Sequence, residues 1–239
     1  MSDTYIFRRI EKKYILDGES KRALMSLIGT HLSPDPHGIS TIYSLYLDTP
    51  DYRLIRNSMD AVSYKEKLRI RSYGIPTGES RVFLEIKKKY EGVVYKRRIT
   101  MSCDEALSYA RGGDRPCSGQ IMNEIDWSMH YYGMPSPRTA ILYEREAFDV
   151  PEQPGLRLTF DSGVRYRTHD VLASDTSPDV PILPPDMCVF EIKTEGAMPV
   201  WLSEALEKCG IYPASFSKYG RAYIDMQNTN IPKGDIQYA

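Results

Sequence analysis

The sequence predicts an α+β fold in which about eight antiparallel strands close into a barrel, with helices flanking it. Segments rich in β-branched and aromatic residues recur along the chain at the length of a strand. Helical patterns interrupt these segments without a strict alternation of strand and helix, which disfavours a parallel doubly wound sheet. Several strands also alternate charged with apolar residues, so that each has two chemically different faces.

The β-rich segments are bounded by turn residues, as at Thr49-Pro50 and Gly74-Ile-Pro76, and Glu91-Gly92 predicts a hairpin turn. Strands are predicted at residues 5–16, 39–48, 62–73, 80–90, 93–101, 139–148, 156–161, 164–168 and 187–194. Because roughly eight strands can curl around one interior, the pattern favours a barrel that encloses a ligand-sized space.

Helices are predicted where apolar residues recur at helical spacing, with Asp17 as the N-cap of the first and Gly133 as a stop signal. These segments are residues 20–31, 103–111, 118–132, 199–210 and a last helix from about residue 217. Residues 169–186 contain four prolines and predict a long loop. Residues 228–239 predict a loose polar tail. With no linker that divides the chain, residues 1–239 are expected to form a single domain.

Composition is that of an ordinary globular protein, with 41% hydrophobic and 26% charged residues and a net charge of −1. The charge is uneven, because residues 65–98 hold eleven Lys and Arg against four Glu, a net of +7, which leaves −8 elsewhere. The neutral total does not favour a nucleic-acid or membrane binder. The four cysteines and four histidines are too scattered to predict zinc, redox or nucleophilic chemistry. A start without a signal-peptide pattern predicts a cytoplasmic protein.

Alternating cations are the main functional signal. Lys65, Lys67, Arg69 and Arg71 share one face of a predicted strand, an arrangement that in isolation is typical of a solvated surface. Further charged residues in the same arrangement are Glu11, Lys13, Glu85, Lys87, Lys96, Arg98, Arg145, Arg157, Glu191 and Lys193. Inside a barrel these cations would repel one another by several kcal/mol unless a polyanion neutralised them. A chain of phosphates would do so, with Mn²⁺ or Mg²⁺ held between glutamates and phosphate oxygens.

At these residues the chain resembles the triphosphate tunnel superfamily, which includes CYTH-type phosphatases and the catalytic domain of the vacuolar transporter chaperone (VTC) polyphosphate polymerases. The VTC branch is the better fit, over about residues 5–225. The matching motifs are Glu11-Lys-Lys-Tyr14, Ser44-Leu-Tyr-Leu-Asp-Thr49, Lys67-Leu-Arg-Ile-Arg71, Phe83-Leu-Glu-Ile-Lys87, Tyr95-Lys-Arg-Arg98, Tyr143-Glu-Arg145, Arg157-Leu-Thr-Phe-Asp161, Phe190-Glu-Ile-Lys193 and Phe216-Ser-Lys-Tyr219.

The resemblance implies metal-dependent transfer of a phosphoryl group from ATP to a growing inorganic polyphosphate chain inside a tunnel. It implies catalytic contacts for Lys13, Arg69, Arg71, Lys87, Arg145, Arg157 and Lys193, and substrate binding for Lys67, Lys96, Arg98, Ser217 and Lys218. For Mn²⁺ or Mg²⁺ it implies Glu191 as the best ligand, with Glu11 and Glu85 as poorer candidates. Ser215 stands where the family often has a lysine, which predicts weaker binding at the product end.

Other functions stay open at this stage. The same site would hydrolyse tripolyphosphate or a nucleoside triphosphate if water reached the acceptor position. A sensor that binds polyphosphate or an inositol polyphosphate without turnover is another alternative, and a nucleic-acid-binding barrel is disfavoured. Any coupling to transport would require a membrane-protein partner that this chain does not encode.

Overall fold

The computed structural model describes residues 10–60, 63–91, 93–168 and 179–230. In chain order the strands are β1 (Ile10–Leu16), β2 (Ser33–Pro34), β3 (Ser40–Asp48), β4 (Tyr64–Tyr73), β5 (Arg81–Tyr90), β6 (Val93–Ser102), β7 (Ser136–Asp149), β8 (Arg157–Arg167), β9 (Val180–Pro181) and β10 (Cys188–Thr194). The helices are α1 (Gly18–Ile28), α2 (Arg53–Met59), α3 (Cys103–Ala110), α4 (Gln120–Tyr131), α5 (Val200–Lys208) and α6 (Lys218–Asn230).

Every strand pair in the sheet is antiparallel, and the main path runs β1-β10-β8-β7-β3-β4-β5-β6. The short strands β2 and β9 pair with β7 and β8. The sheet curls strongly. The curl brings Lys13 on β1 close enough to interact electrostatically with Lys67 on β4 and Lys87 on β5. Within the described ranges β1 and β6 remain the two edges of this path. The predicted antiparallel tunnel fold with flanking helices is therefore confirmed, as a curled half-barrel whose hydrogen-bonded ring is left open.

Helices cover the convex face of the sheet in two places. Under α3 and α4, the alternate apolar residues of β4 and β5, such as Leu68 and Leu84, are fully buried. Under α1 and α5, the corresponding residues of β1, β8 and β10, such as Tyr14, Phe160 and Phe190, are buried in a second core. Each such side chain contributes about 1.5–3 kcal/mol of hydrophobic stabilisation. The apolar half of each alternating strand is thus used by the helices, and the charged half is left on the concave side.

The last helix, α6, lies on the concave side and is fixed there by Asp48. The Tyr219 hydroxyl donates to Asp48 Oδ2 at 2.9 Å, and its ring stacks on Tyr46 with centroids 4.3 Å apart. The same carboxylate accepts from the backbone N–H groups of Leu54 and Ile55 at 2.9 and 3.0 Å, which caps the start of α2. One buried acid therefore joins the end of β3, α2 and α6.

Several predicted bounds differ from the structure. Residues 156–161 and 164–168 belong to one strand, β8, because Ser162 still pairs with β7 across the expected break. The sequence does not predict α2, whose N-cap Tyr52 is left-handed and whose capping carboxylate comes from the preceding strand. The N-cap Asp17 is confirmed, since its Oδ1 accepts from Ser20 N at 2.8 Å.

Some predictions fall outside the described residues. These are the start of the first strand up to residue 9, residues 169–178 of the long loop, and residues 231–239 of the polar tail. The first part of that tail, residues 228–230, is the end of α6, and the loop also contains β9. That residues 1–239 form one domain stays a prediction.

Candidate functional site

The concave face carries a group of positively charged side chains, named here the concave cluster. Its members are Lys13, Lys67, Arg69, Arg71, Lys87, Lys96, Arg145, Lys193 and Lys218. Four carboxylates lie among these nine cations, namely Glu11, Glu85, Asp161 and Glu191. The site therefore has a formal excess of five positive charges, far above the neutral average of the chain.

Glu85 on β5 is the counter-charge for one side of the concave cluster. Its carboxylate, only 1% exposed, accepts from Arg69 Nε at 2.8 Å and forms an ion pair with Lys96, whose Nζ lies 2.7 Å from Oε1. Burial raises the pKa of Glu85, but these cations and Arg71 outweigh it and lower the pKa to about 2. The carboxylate is therefore charged at any physiological pH and is paired with the cations of its own neighbourhood.

Asp161 on β8 is the counter-charge for the other side of the concave cluster. Arg145 grips it with two bonds, Nε to Oδ1 at 2.6 Å and Nη2 to Oδ2 at 2.8 Å, and Lys218 Nζ approaches Oδ2 at 2.6 Å. Burial raises the pKa of Asp161, but Lys218 and Arg145 hold it below its ordinary value. Because Lys218 is the first residue of α6, this contact also orients the start of that helix.

Lys13 joins two further carboxylates where β1 meets β10. Its Nζ lies 3.0 Å from Glu11 Oε1 and 3.5 Å from Glu191 Oε1, while Lys193 Nζ lies 2.7 Å from Glu191 Oε2. Burial raises the pKa of Glu191, but Lys193, a hydrogen bond with the Glu11 carboxyl and Lys13 together lower it below its usual range. Two carboxyl groups thus meet at a point enclosed by ammonium groups.

Glu11 and Glu191 fit a divalent cation better than the full predicted set does. Mg²⁺ is commonly held by one or two protein carboxylates together with substrate phosphates, and these two glutamates lie close together, since both contact Lys13 Nζ. Glu85 is held elsewhere by Arg69 and Lys96. In the part of the chain that the structure describes, no group of three or more His, Cys, Asp or Glu converges as metal ligands. The three predicted metal ligands are therefore not brought together, because Glu85 pairs with Arg69 and Lys96 rather than lying beside Glu11 and Glu191.

Tyr46 is a buried phenol in contact with the concave cluster. Arg69 Nη1 donates to its hydroxyl oxygen at 3.3 Å. Burial raises the pKa of Tyr46, but Arg69, Lys67 and Arg71 outweigh burial and lower it to about 7. For Lys67, burial and the neighbouring cations Lys87 and Lys13 lower the pKa to about 8, despite the opposing effect of Tyr46. The protein thus stabilises negative charge here and holds a lysine close to deprotonation.

The start of α6 forms one end of the site. Lys67 Nζ donates to Ser217 Oγ at 3.1 Å, and the same oxygen accepts from Gly220 N at 3.1 Å. Lys13 Nζ donates to the carbonyl oxygen of Phe216 at 3.2 Å. Two lysines of the concave cluster therefore contact the segment just before the helix, and Ser217 lies beside the cluster; its binding of a phosphate stays a prediction.

Two predicted phosphate-binding arginines do not join the concave cluster. Arg157 is the first residue of β8, its side chain is 44% exposed, and it pairs with Asp35 at 2.5 Å and Asp149 at 3.4 Å. Arg98 is exposed, with its guanidinium 4.7 Å from the centre of the Phe83 ring. The other predicted cations are in the cluster. Strand alternation sets the face of a side chain but not its distance from the middle of the sheet, and Arg157 lies at a strand end.

The family is decided by a match over nearly the whole chain. The VTC domain model matches residues 8–226. This chain belongs to the VTC family. The match confirms the family that the sequence motifs predict. No curated protein matches the chain at a significant level.

Solved structures give the fold of this VTC protein. A candidate adenylate cyclase from Bacillus halodurans superimposes with a TM-score of 0.55 at 16% identity, covering 87% of this chain and 93% of that one. A protein from Pyrococcus horikoshii OT3 gives a TM-score of 0.46 at 12% identity, covering 92% and 98%. The first of these supports the tunnel fold. Family and fold together indicate an activity related to triphosphate or polyphosphate.

The sequence motifs assign no role to three further side chains that the structure places at the concave cluster of this VTC protein. Asp161 is the last residue of the motif Arg157-Leu-Thr-Phe-Asp161, but only the structure shows that it is buried between Arg145 and Lys218. Tyr46 has the same parity as Ser44 on β3, and that parity could have placed it on the concave face. Tyr143, which accepts from Arg71 Nη2 at 3.4 Å, could have been found in the same way.

No helix in the described ranges is both long and apolar enough to span a bilayer.

Proposed function

We propose that this VTC-family chain transfers the terminal phosphoryl group of ATP to an inorganic polyphosphate chain within the concave cluster. The excess of five positive charges at one enclosed face carries the proposal. Like charges at such distances repel by several kcal/mol, and repulsion from Lys87 and Lys13 adds to the larger effect of burial in lowering the pKa of Lys67. A bound chain of phosphates would remove it, because each phosphoryl unit supplies about one negative charge and several acceptor oxygens.

The internal pairing suggests which cations contact the substrate. Arg145 and Lys218 already share Asp161, and Arg69 shares Glu85, so these three have part of their charge satisfied. Arg71 makes no ion pair among the described residues and donates there to the neutral hydroxyls of Ser44 and Tyr143, so its charge is less compensated, although it still interacts electrostatically with Glu85. We therefore assign the direct contacts to the less compensated cations, such as Arg71 and Lys67, and a positioning part to the paired ones.

Transfer needs no covalent intermediate on the protein. A terminal phosphate oxygen of the acceptor attacks the γ-phosphorus of ATP, the bond to the β–γ bridging oxygen breaks, and ADP leaves with that electron pair. Lysines and arginines around the transferring group would neutralise its charge and hold donor and acceptor in line, which is the main source of catalysis in phosphoryl transfer. Glu11 and Glu191 would hold Mn²⁺ or Mg²⁺, which when bound neutralises charge on the phosphate oxygens.

The test compares two neighbouring lysines of β5. Lys87 belongs to the concave cluster, whereas Lys88 faces the convex side, with Nζ 3.6 Å from Glu66 Oε1. Lys87→Gln and Lys88→Gln remove the same charge from adjacent positions. The purified proteins are incubated with ATP and Mn²⁺ or Mg²⁺, products are resolved on a gel, and thermal melting confirms folding. We expect wild type and Lys88→Gln to make polymer, and Lys87→Gln to lose about tenfold or more, the value of one charge-assisted hydrogen bond.

Each alternative has its own outcome. Free phosphate without polymer would replace the polymerase with a triphosphatase, and tight binding of tripolyphosphate without turnover would replace it with a sensor. Equal losses in both variants would contradict the assignment of the concave face. A cytoplasmic location and a membrane-protein partner stay predictions.

A further inference from the structure

Two aromatic side chains and one arginine lie together beyond one end of the concave cluster. The rings of Tyr73 on β4 and Phe83 on β5 meet edge to face, with centroids 6.1 Å apart and planes at 88°. The Arg98 guanidinium lies over the Phe83 ring at 4.7 Å. Tyr73 is 61% exposed, although it belongs to a strand whose other large apolar side chains are mostly buried. These three residues are named here the aromatic platform.

The aromatic platform continues the charged face. Tyr73 shares the strand parity of Lys67, Arg69 and Arg71, and it follows Arg71 by two residues, or about 7 Å along the strand. Phe83 pairs with Arg71 in the register of β4 and β5. Because Lys67 contacts Ser217 at the opposite end, β4 leads from the start of α6 through three cations to an exposed aromatic ring.

Arg98 contributes a charge that none of the described carboxylates neutralises by an ion pair. Within the described residues it makes no ion pair, although its neighbour Lys96 pairs with Glu85 and Arg97 with Glu124. A guanidinium that lies on an aromatic ring and lacks a carboxylate can interact both with a ring face and with a phosphate. The aromatic platform is therefore suited to a ligand that has a flat ring next to an anionic chain.

We propose that Tyr73, Phe83 and Arg98 bind the base of the purine nucleoside triphosphate whose phosphates occupy the concave cluster. The proposal rests on the proposed function. Stacking on aromatic and guanidinium faces tolerates any base and strengthens with ring area. The site should accept adenine and guanine alike and bind pyrimidines more weakly. The direction of the nucleotide follows, with its base at Tyr73 and its terminal phosphate toward Ser217.

The experiment compares ligands with and without a base. Dissociation constants of ATP and inorganic tripolyphosphate are measured by calorimetry for wild type, Tyr73→Ala, Tyr73→Phe and Tyr90→Ala. Tyr90 is a matched control, because it is 50% exposed and lies at the other end of β5. We expect Tyr73→Ala to weaken ATP about tenfold with tripolyphosphate unchanged. Tyr73→Phe, which keeps the ring, and Tyr90→Ala should both resemble wild type.

The two proposals fail in different ways. If wild type binds tripolyphosphate but Tyr73→Ala weakens both ligands equally, or neither, the aromatic platform is wrong and the proposed function stands. A loss of ATP affinity in Tyr90→Ala as large as in Tyr73→Ala would also overturn the aromatic platform. If wild type binds neither tripolyphosphate nor ATP, the proposed function falls and the base site falls with it.

Discussion

Replacing Glu85 with glutamine tests whether this residue is a counter-charge or a metal ligand. The substitution keeps the shape of the side chain and removes its charge between Arg69 and Lys96. The folded protein lowers the pKa of Glu85 from 4.5 to about 2. At about 1.4 kcal/mol per pKa unit, the ionised carboxylate contributes about 3 kcal/mol to stability. For a chain of this length that corresponds to a fall in Tm of about 6–12 °C for Glu85→Gln.

The pH dependence gives the sign of the effect. Because folding lowers the pKa of Glu85, its contribution is complete above the unfolded value of 4.5 and disappears as the pH falls toward about 2. The gap in Tm between wild type and Glu85→Gln should therefore be widest at pH 7 and narrow steadily below pH 4.5. Glu204→Gln, at an exposed position of α5, is the control for removing one carboxylate and should melt with wild type.

Anion binding separates the two roles of Glu85. As a counter-charge, its loss adds one positive charge to the concave cluster, so tripolyphosphate should bind more tightly to Glu85→Gln and recover part of the lost Tm. As a metal ligand, its loss should instead weaken Mn²⁺-dependent turnover without a large change in Tm. Thermal melting by circular dichroism, with and without tripolyphosphate, measures the first outcome, and the gel assay with ATP and Mn²⁺ measures the second. A Tm within about 2 °C of wild type at pH 7, or a gap that does not narrow in acid, would refute the counter-charge assignment.

Three further outcomes are expected. Tripolyphosphate affinity should fall as the pH rises from 7 to 9, since the pKa values of Lys67 and Lys96 are about 8 and both lose charge in that range; calorimetry showing constant affinity would contradict this. Asp161→Asn should lower the free energy of unfolding in urea by about 3–5 kcal/mol, because two partly buried cations lose their buried carboxylate. Ser102→Ala removes the capping box of α3 and should cost about 1 kcal/mol in the same assay, with tripolyphosphate binding unaltered.

The composition of each strand face was predictable from the sequence. Lys67, Arg69 and Arg71 lie on the concave side and Leu68 on the convex side because side chains alternate along any strand. The N-cap at Asp17 was also predictable from local sequence, since its hydrogen-bond partner Ser20 is three residues away. The family could also be recognised, because its motifs are short runs of neighbouring residues, most of them within a single strand.

Which charged side chains pair with one another was decided only by the tertiary structure. Glu85 became the counter-charge of Arg69 through the register of β4 and β5, although the sequence suggested a metal ligand. Lys218 reaches Asp161, 57 residues away, because α6 returns to the concave side. Alternation and capping follow from neighbouring residues, so the sequence by itself determined them. Which charges neutralise one another depends on how distant strands pair and how far the sheet curls, and no local pattern contains that information.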